Sequence, residues 1–171
     1  MVKIIQKGDP VLARKAKEVP LADIKKPGIQ KIIKQMKTAL AKESDGAALA
    51  APQIGLPLCL FVVSGRILAE EKDEENVPED LVFINPVITK LSKKKAWLEE
   101  GCLSVRGYYG KVERATKATI TAYNKEGKKF TRGASGLLAQ VFQHETDHLD
   151  GTLFDSKAKD IERIPLEHAT Q

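Results

Sequence analysis

An α+β fold is predicted by two stretches with apolar residues at helical spacing, set among β-rich runs joined by turn residues. Residues 2–6 (VKIIQ) read as a short strand ahead of the loop KGDPVL. Ile29, Ile32, Ile33, Met36 and Leu40 then recur on one helical face, Pro27 suits the helix start, and Asp45-Gly46 is the predicted end. The stretch GAALAAPQIG (46–55) is small and apolar up to Pro52, followed by a single polar residue, Gln53. LCLFVV (58–63) reads as a buried strand, with Cys59 a buried and inert thiol. Residues 64–80 carry seven acids and few apolar groups, which predicts a solvated acidic loop. LVFINPVITKL (81–91) is strand-like, and Pro86 places an edge or a bulge there. KATITAY (117–123) and KKFTR (128–132) flank NKEG as a hairpin. ASGLLAQVFQHETDHLDG is the second helix, with Leu137, Leu138, Val141 and Phe142 inward and Gly151 closing it. Residues 157–171 read as a tail or a short helix.

A length of 171 residues fits one domain, 1–171, with no repeat, low-complexity block or linker. Hydrophobic residues at 42% and charged residues at 30% describe an ordinary globular chain, and no apolar run approaches the ~20 residues that cross a bilayer. MVKIIQKGDP lacks the apolar core of a secretory signal, so a cytoplasmic protein with no membrane partner is expected. The net charge of +5 invites a nucleic-acid reading, but the lysines are scattered among acids and aromatics make up only 5%. A solvated lysine-rich surface explains the charge, which is also compatible with a role at the ribosome. Specific nucleic-acid recognition is not expected.

The strongest chemical signal is HETDH, residues 144–148. Positions four apart on a helix share a face, so His144 and His148 can present two imidazoles to one ion, while Glu145 reaches a water beside it as a general base. Histidine pairs on half-buried helices also arise as ordinary packing. Here, however, two of the chain's three histidines fall on one amphipathic helix, and His168 lies in a polar tail. A catalytic site wants a third ligand and an open position. Cys102, in EEGCLS, is a candidate thiolate in an irregular stretch, although a buried apolar thiol is the plainer reading of it alone. The spacing by itself points to zinc.

GAALAAPQIG, EEGCLSV and QHETDHLDG, in this order and spacing, resemble the three motifs of the peptide deformylase family; GDPVLARKAKEV and GYYGKVERATK are also similar to it. The resemblance runs to about residue 155. It implies a deformylase-like fold of mixed or antiparallel strands packed around a central metal-binding helix. It also implies a metallohydrolase that removes the formyl group from N-formylmethionine of nascent polypeptides and releases formate. Carried over residue by residue, it implies Cys102, His144 and His148 as ligands, Glu145 as acid/base, and the Gln53 amide and Leu103 N–H as donors to the developing oxyanion. Gly46, Ala47, Ala48, Gly101 and Leu137 match substrate-binding positions, and Glu100 and Arg114 an electrostatic pair behind the Cys102 loop. Iron(II) comes first among the metals implied, with zinc, nickel and cobalt able to occupy the site. A monomer is expected.

Two departures from the family pattern bear on substrate scope. Ala47 stands where a branched aliphatic is usual and Ala48 where a second glycine is usual, adding a methyl that would be strained at positive φ. Arg106 stands where proline is frequent, either loosening its loop or placing a charge at the pocket rim. Two alternatives therefore stay open: the same chemistry with altered specificity for the acyl group or first residue, or a low-turnover metal-containing protein associated with ribosomes.

Overall fold

The structure is a computed structural model that describes residues 2–69 and 77–164. Among the described residues two α-helices, α1 (Pro27–Ala41) and α2 (Gly136–Leu149), accompany two antiparallel sheets, an α+β architecture. The first sheet has the order β1 (Ala48–Ala50), β2 (Leu60–Val63), β3 (Leu81–Leu91), β6 (Lys117–Tyr123), β7 (Lys129–Ser135). The second has β4 (Lys95–Gly101), β5 (Tyr108–Ala115), β8 (Lys159–Arg163).

The period of two along β2 explains why this strand reads as continuously apolar. Leu60 and Val62 join Ile33, Met36 and Leu40 of α1 in one core, whereas Phe61 and Val63 join Ala139, Val141 and Phe142 of α2 in another. The first sheet is thus covered on both faces. Phe83 stacks on Phe61 at 4.7 Å between centroids and meets Phe142 edge-on at 5.2 Å, fixing α2 against the sheet. The other side of α2 faces β4 and β5, where Gln143 accepts from Ala115 N–H and donates to its carbonyl, at 3.0 and 2.9 Å. α2 is therefore the central helix, gripped between the two sheets.

Pro86 falls at a break in register between Ile84 and Val87, so the expected bulge is present, but β3 lies inside the sheet rather than at its edge. The hairpin 117–135 forms as expected. Gly151 follows the end of α2 at φ +77, and a Cβ there would stand 2.7 Å from the Ala13 carbonyl oxygen, so only glycine closes this helix.

Several expectations are corrected. Residues 2–6 form no strand: Ile5 N–H donates to the Gln53 carbonyl and Lys7 N–H to that of Ser104, both at 2.7 Å, and those acceptors belong to different parts of the fold, so no ladder can build. α1 ends at Ala41, four residues before Asp45, because Lys42 and Glu43 turn to i−3 carbonyls and the Arg66 guanidinium takes those of Leu40, Glu43 and Gly46. β4 and β5 flank the Cys102 segment, and only from Cys102 onward is EEGCLS irregular. Residues 159–163 of the expected tail or helix form β8 on the open edge of β5, while 165–171 lie outside the described residues. Of the expected acidic loop, residues 65–67 make a 3-10 turn with Gly65 buried, and 70–76 lie outside the described residues. Cys59 is half-buried, with its thiol pushed up to about 11, first by burial and then by Glu18 and Asp150; it is inert but not enclosed. No helix among the described residues is long and apolar enough to cross a membrane.

Candidate metal centre

The middle of α2 brings His144 and His148 one turn apart, and the end of β4 delivers Cys102 opposite them. The His148 Nε2 lies 3.2 Å from the Cys102 Sγ and 3.2 Å from the His144 Nε2. All three ligand atoms fall within 4.8 Å of one another. Donors held about 2.0–2.3 Å from one tetrahedral ion are themselves separated by about 3.3–3.6 Å, so the two sides that meet at His148 are close to the spacing a metal needs. Two imidazoles and a thiolate form a borderline-to-soft set suited to a divalent transition metal. Two buried polar atoms beside the triangle, Glu145 Oε2 and His148 Nδ1, make no hydrogen bond among the described residues. An orphaned carboxylate oxygen next to such a cluster is what a site built to hold a water leaves behind.

The electrostatics separate the two histidines. Burial disfavours a cation at His144, but hydrogen bonds to Cys102 and Glu100 override it and raise its pKa well above the ordinary value. Burial and the neighbouring His144 push His148 well below. Burial lifts the Glu145 carboxyl to about 7, with partial opposition from His144. Glu100 behaves oppositely: burial would raise it, yet hydrogen bonds from His144 and Arg114 hold it at about 2.

Glu100 and Arg114 are joined as an enclosed fork-to-fork pair. Arg114 Nε donates to Glu100 Oε2 at 3.0 Å and Nη2 to Oε1 at 2.6 Å, with side chains 4% and 5% exposed. The same Glu100 Oε1 meets His144 Nδ1 at 2.6 Å, orienting the ring so that Nε2 faces the triangle. Asp147, which sequence reasoning missed, accepts from Arg114 Nη1 at 2.7 Å and from Lys157 at 2.8 Å. Its place three residues after His144 on the same helix was the signal that could have found it.

Gln53 sits in the 3-10 turn Ala51–Ile54, behind Pro52. Its Oε1 accepts from Ala50 N–H at 2.9 Å, which settles the amide's orientation, and its Nε2 points to Ser104 Oγ at 3.1 Å and Cys102 Sγ at 3.6 Å. Ser104, fully buried, is a second partner the sequence reading missed. The Leu103 N–H has no acceptor among the described residues and borders the same cleft.

That cleft, of about 240 Å³, opens over the triangle. One wall is Gly46, Ala47 and Ala48, the other Gly101 to Tyr109, and Leu137 stands at the mouth. Leu137 is 52% exposed and does not face the core as expected, because the first turn of α2 projects past the sheet into the cleft. Gly46 is tightly packed: a Cβ there would stand 2.9 Å from the end of the Leu40 side chain and 3.0 Å from the Glu43 Cβ. Ala48 lies in β1, and the only non-glycine positive φ values among the described residues are at Asn85 and Asp160, so its methyl carries no backbone strain. Arg106 neither loosens its loop nor stands free, since Glu43 and Asp45 take its guanidinium.

The description polypeptide deformylase belongs to the family profile that matches residues 1–164. Over 166 residues the chain is 41% identical to peptide deformylase 1A, chloroplastic/mitochondrial, of Arabidopsis thaliana, covering 91% of this chain and 60% of that protein. It spans 59% of a tomato (Solanum lycopersicum) relative at the same identity, so it covers about three-fifths of these plant proteins' length. A peptide deformylase of Desulforudis audaxviator is 41% identical over 93% of this chain and 94% of its own. Among solved structures, a peptide deformylase from Legionella pneumophila superposes with a TM-score of 0.80 at 36% identity, covering 94% of this chain and 87% of that one. One from Synechococcus elongatus, in complex with actinonin, gives 0.78 at 32%, with 93% and 79% covered. A match of that reach, in sequence and in fold, makes this chain a member of the polypeptide deformylase family.

Proposed function

We propose that this chain is a metal-dependent hydrolase that removes the N-formyl group from formyl-methionyl peptides, with Cys102, His144 and His148 as ligands of iron(II) or another divalent ion. The carrying observation is the orphaned, buried Glu145 carboxylate beside a Cys-His-His triangle at the floor of a peptide-sized cleft. A divalent ion held there supplies Lewis acidity, making a water acidic near neutral pH and polarising a carbonyl oxygen.

The protein's own groups do the rest. Glu145, with its pKa near 7, accepts a proton from the attacking water and returns it to the departing amine, giving formate and a free N-terminus. Negative charge growing on the formyl oxygen meets the Gln53 Nε2 and the Leu103 N–H, donors fixed before the substrate arrives. Ala50 N–H and Ser104 Oγ keep the Gln53 amide from turning its carbonyl toward that charge. Glu100, anchored by Arg114, holds the His144 ring in place and carries no part of the proton transfer. Gly46, Ala47, Ala48 and Gly101 let a peptide backbone lie close, and Leu137 lines the slot for a thioether side chain. Ala47, lacking a branched side chain, widens that slot. Nascent chains at the ribosome are the substrate source we infer, met by a cytoplasmic monomer.

Protein loaded with iron(II) under anaerobic conditions is expected to release formate from formyl-Met-Ala-Ser, to stop on treatment with a chelator, and to recover when the ion is restored. Metal bound at one equivalent with no formate released would favour the binding-protein alternative instead.

A further inference from the structure

We propose that Arg106 is a positioning residue: its ion pairs with Glu43 and Asp45 strap the two walls of the cleft together and set the width at which a peptide enters. This rests on the reading of the cleft as the peptide site. The walls come from distant parts of the chain. One is the segment 43–53, running through β1 to Gln53; the other is 101–109, carrying Cys102 and Leu103. Both line the cleft over the triangle, so their separation at the rim decides how closely a bound peptide backbone meets both walls.

Side-chain ties cross the cleft at two levels, and residues 5–7 join the same walls through Ile5 N–H to the Gln53 carbonyl and Lys7 N–H to that of Ser104. At the base, Gln53 Nε2 donates to Ser104 Oγ at 3.1 Å, both residues being buried. At the rim, Arg106 Nη1 donates to both Asp45 carboxylate oxygens at 3.3 Å and Nη2 to Glu43. Side-chain exposures of 30%, 26% and 44% for Arg106, Glu43 and Asp45 make the rim tie half-open to solvent. Its footings are firm on both sides. Arg66 Nη2 donates to the carbonyls of Glu43 and Gly46, at 2.9 and 3.3 Å, and Gly46 packs closely against Leu40 and Glu43. Across the cleft, Gln6 Nε2 donates to the Leu103 carbonyl at 2.9 Å and Lys7 N–H to that of Ser104. Arg106 spans two anchored edges, and with both carboxylates on it the guanidinium is not a free receptor for a peptide carboxylate. Arginine serves here because its two terminal nitrogens, held in one rigid plane, address two different carboxylates at once.

The test compares wild type, R106A, the E43A/D45A pair and the combined triple variant. KM for formyl-Met-Ala-Ser and the dissociation constant of the product peptide Met-Ala-Ser, read by calorimetry, are measured for each. R106A is expected to weaken both by roughly five- to tenfold while kcat holds within about threefold, as the loss of a half-exposed ion pair allows. E43A/D45A is expected to match it, and the triple variant to be no worse, since all three break one tie. In 1 M salt, where screening reaches about 3 Å, wild type is expected to approach R106A. Wild-type values within twofold in R106A overturn the strap, as do additive losses in the triple variant, which would mean Arg106 and the acids act separately on the peptide. If wild type releases no formate while Met-Ala-Ser binding still follows this pattern, the hydrolase reading fails and the strap stands.

Discussion

Replacing Glu145 by glutamine is expected to leave one equivalent of metal bound and to lower kcat on formyl-Met-Ala-Ser by a factor of about 10³ or more, the upper part of what a positioned acid/base supplies. The carboxylate is outside the ligand triangle, so the ion has no reason to leave. Its Oε2 is buried with no partner among the described residues, a costly placement unless the group has work to do there. Glutamine keeps the volume and removes both the charge and the capacity to carry a proton. Metal analysis and steady-state kinetics on the same preparation check this; a rate within tenfold of wild type would remove Glu145 from the mechanism.

The chemistry was more legible in the sequence than the architecture that holds it. HETDH could be placed on one helix face because spacing and helix geometry are both local, and the structure sets its two histidines 3.2 Å apart. Cys102 was a candidate because the site wanted a third ligand, but only the motif resemblance favoured it over a buried apolar thiol, since a cysteine beside a glycine has no pattern of its own. β4 and β5 were missed: KAWLEEG mixes charges with single apolar residues, because this strand buries Glu100 against Arg114 rather than a hydrophobic side chain. β8 was missed for a related reason, as all five of its residues are exposed and it adds to an edge through backbone pairing, with Lys159 Nζ 4.4 Å over the Trp97 ring. Leu137 looked inward because helical periodicity marks a face but not where the covering sheet stops. Asp147 had only its spacing from His144 to mark it, and Ser104 acts through Gln53, a contact between distant segments that leaves no spacing to read.

The buried pair gives the second large effect. R114M is expected to destabilise the protein by about 3–5 kcal/mol, the cost of leaving an enclosed charge without its partner. Glu100 would keep only His144 and Gln140, whereas Asp147 retains Lys157. For a chain of this size that lowers the melting temperature by roughly 10 °C. Adding E100Q to R114M is expected to recover much of the loss by removing the stranded carboxylate. The pH dependence has a definite sign. Glu100 is depressed to about 2 in the folded state, so the stability it contributes is complete above its unfolded value of 4.5 and is lost as the pH falls toward 2. R114M should show a smaller loss across that window. Urea titrations of the three proteins at pH 7 and pH 3 and thermal melts at pH 7 measure it; a melting temperature within 2 °C of wild type for R114M would show that the pair carries no stability.

The strap, the paired carboxylate and the orphaned Glu145 all serve one claim, that this cleft is shaped for a formyl-methionyl terminus. The direct measurement is kcat/KM for formate release from formyl-Met-Ala-Ser against formyl-Ala-Ala-Ser, with acetate release from acetyl-Met-Ala-Ser alongside, on the iron(II) protein. A preference for formyl-Met of at least about a hundredfold over both is predicted, because the thioether slot adds apolar contact and the site over the triangle is small. Comparable rates on all three would contradict it and would mean that Ala47 and Ala48 have opened the cleft to a different substrate.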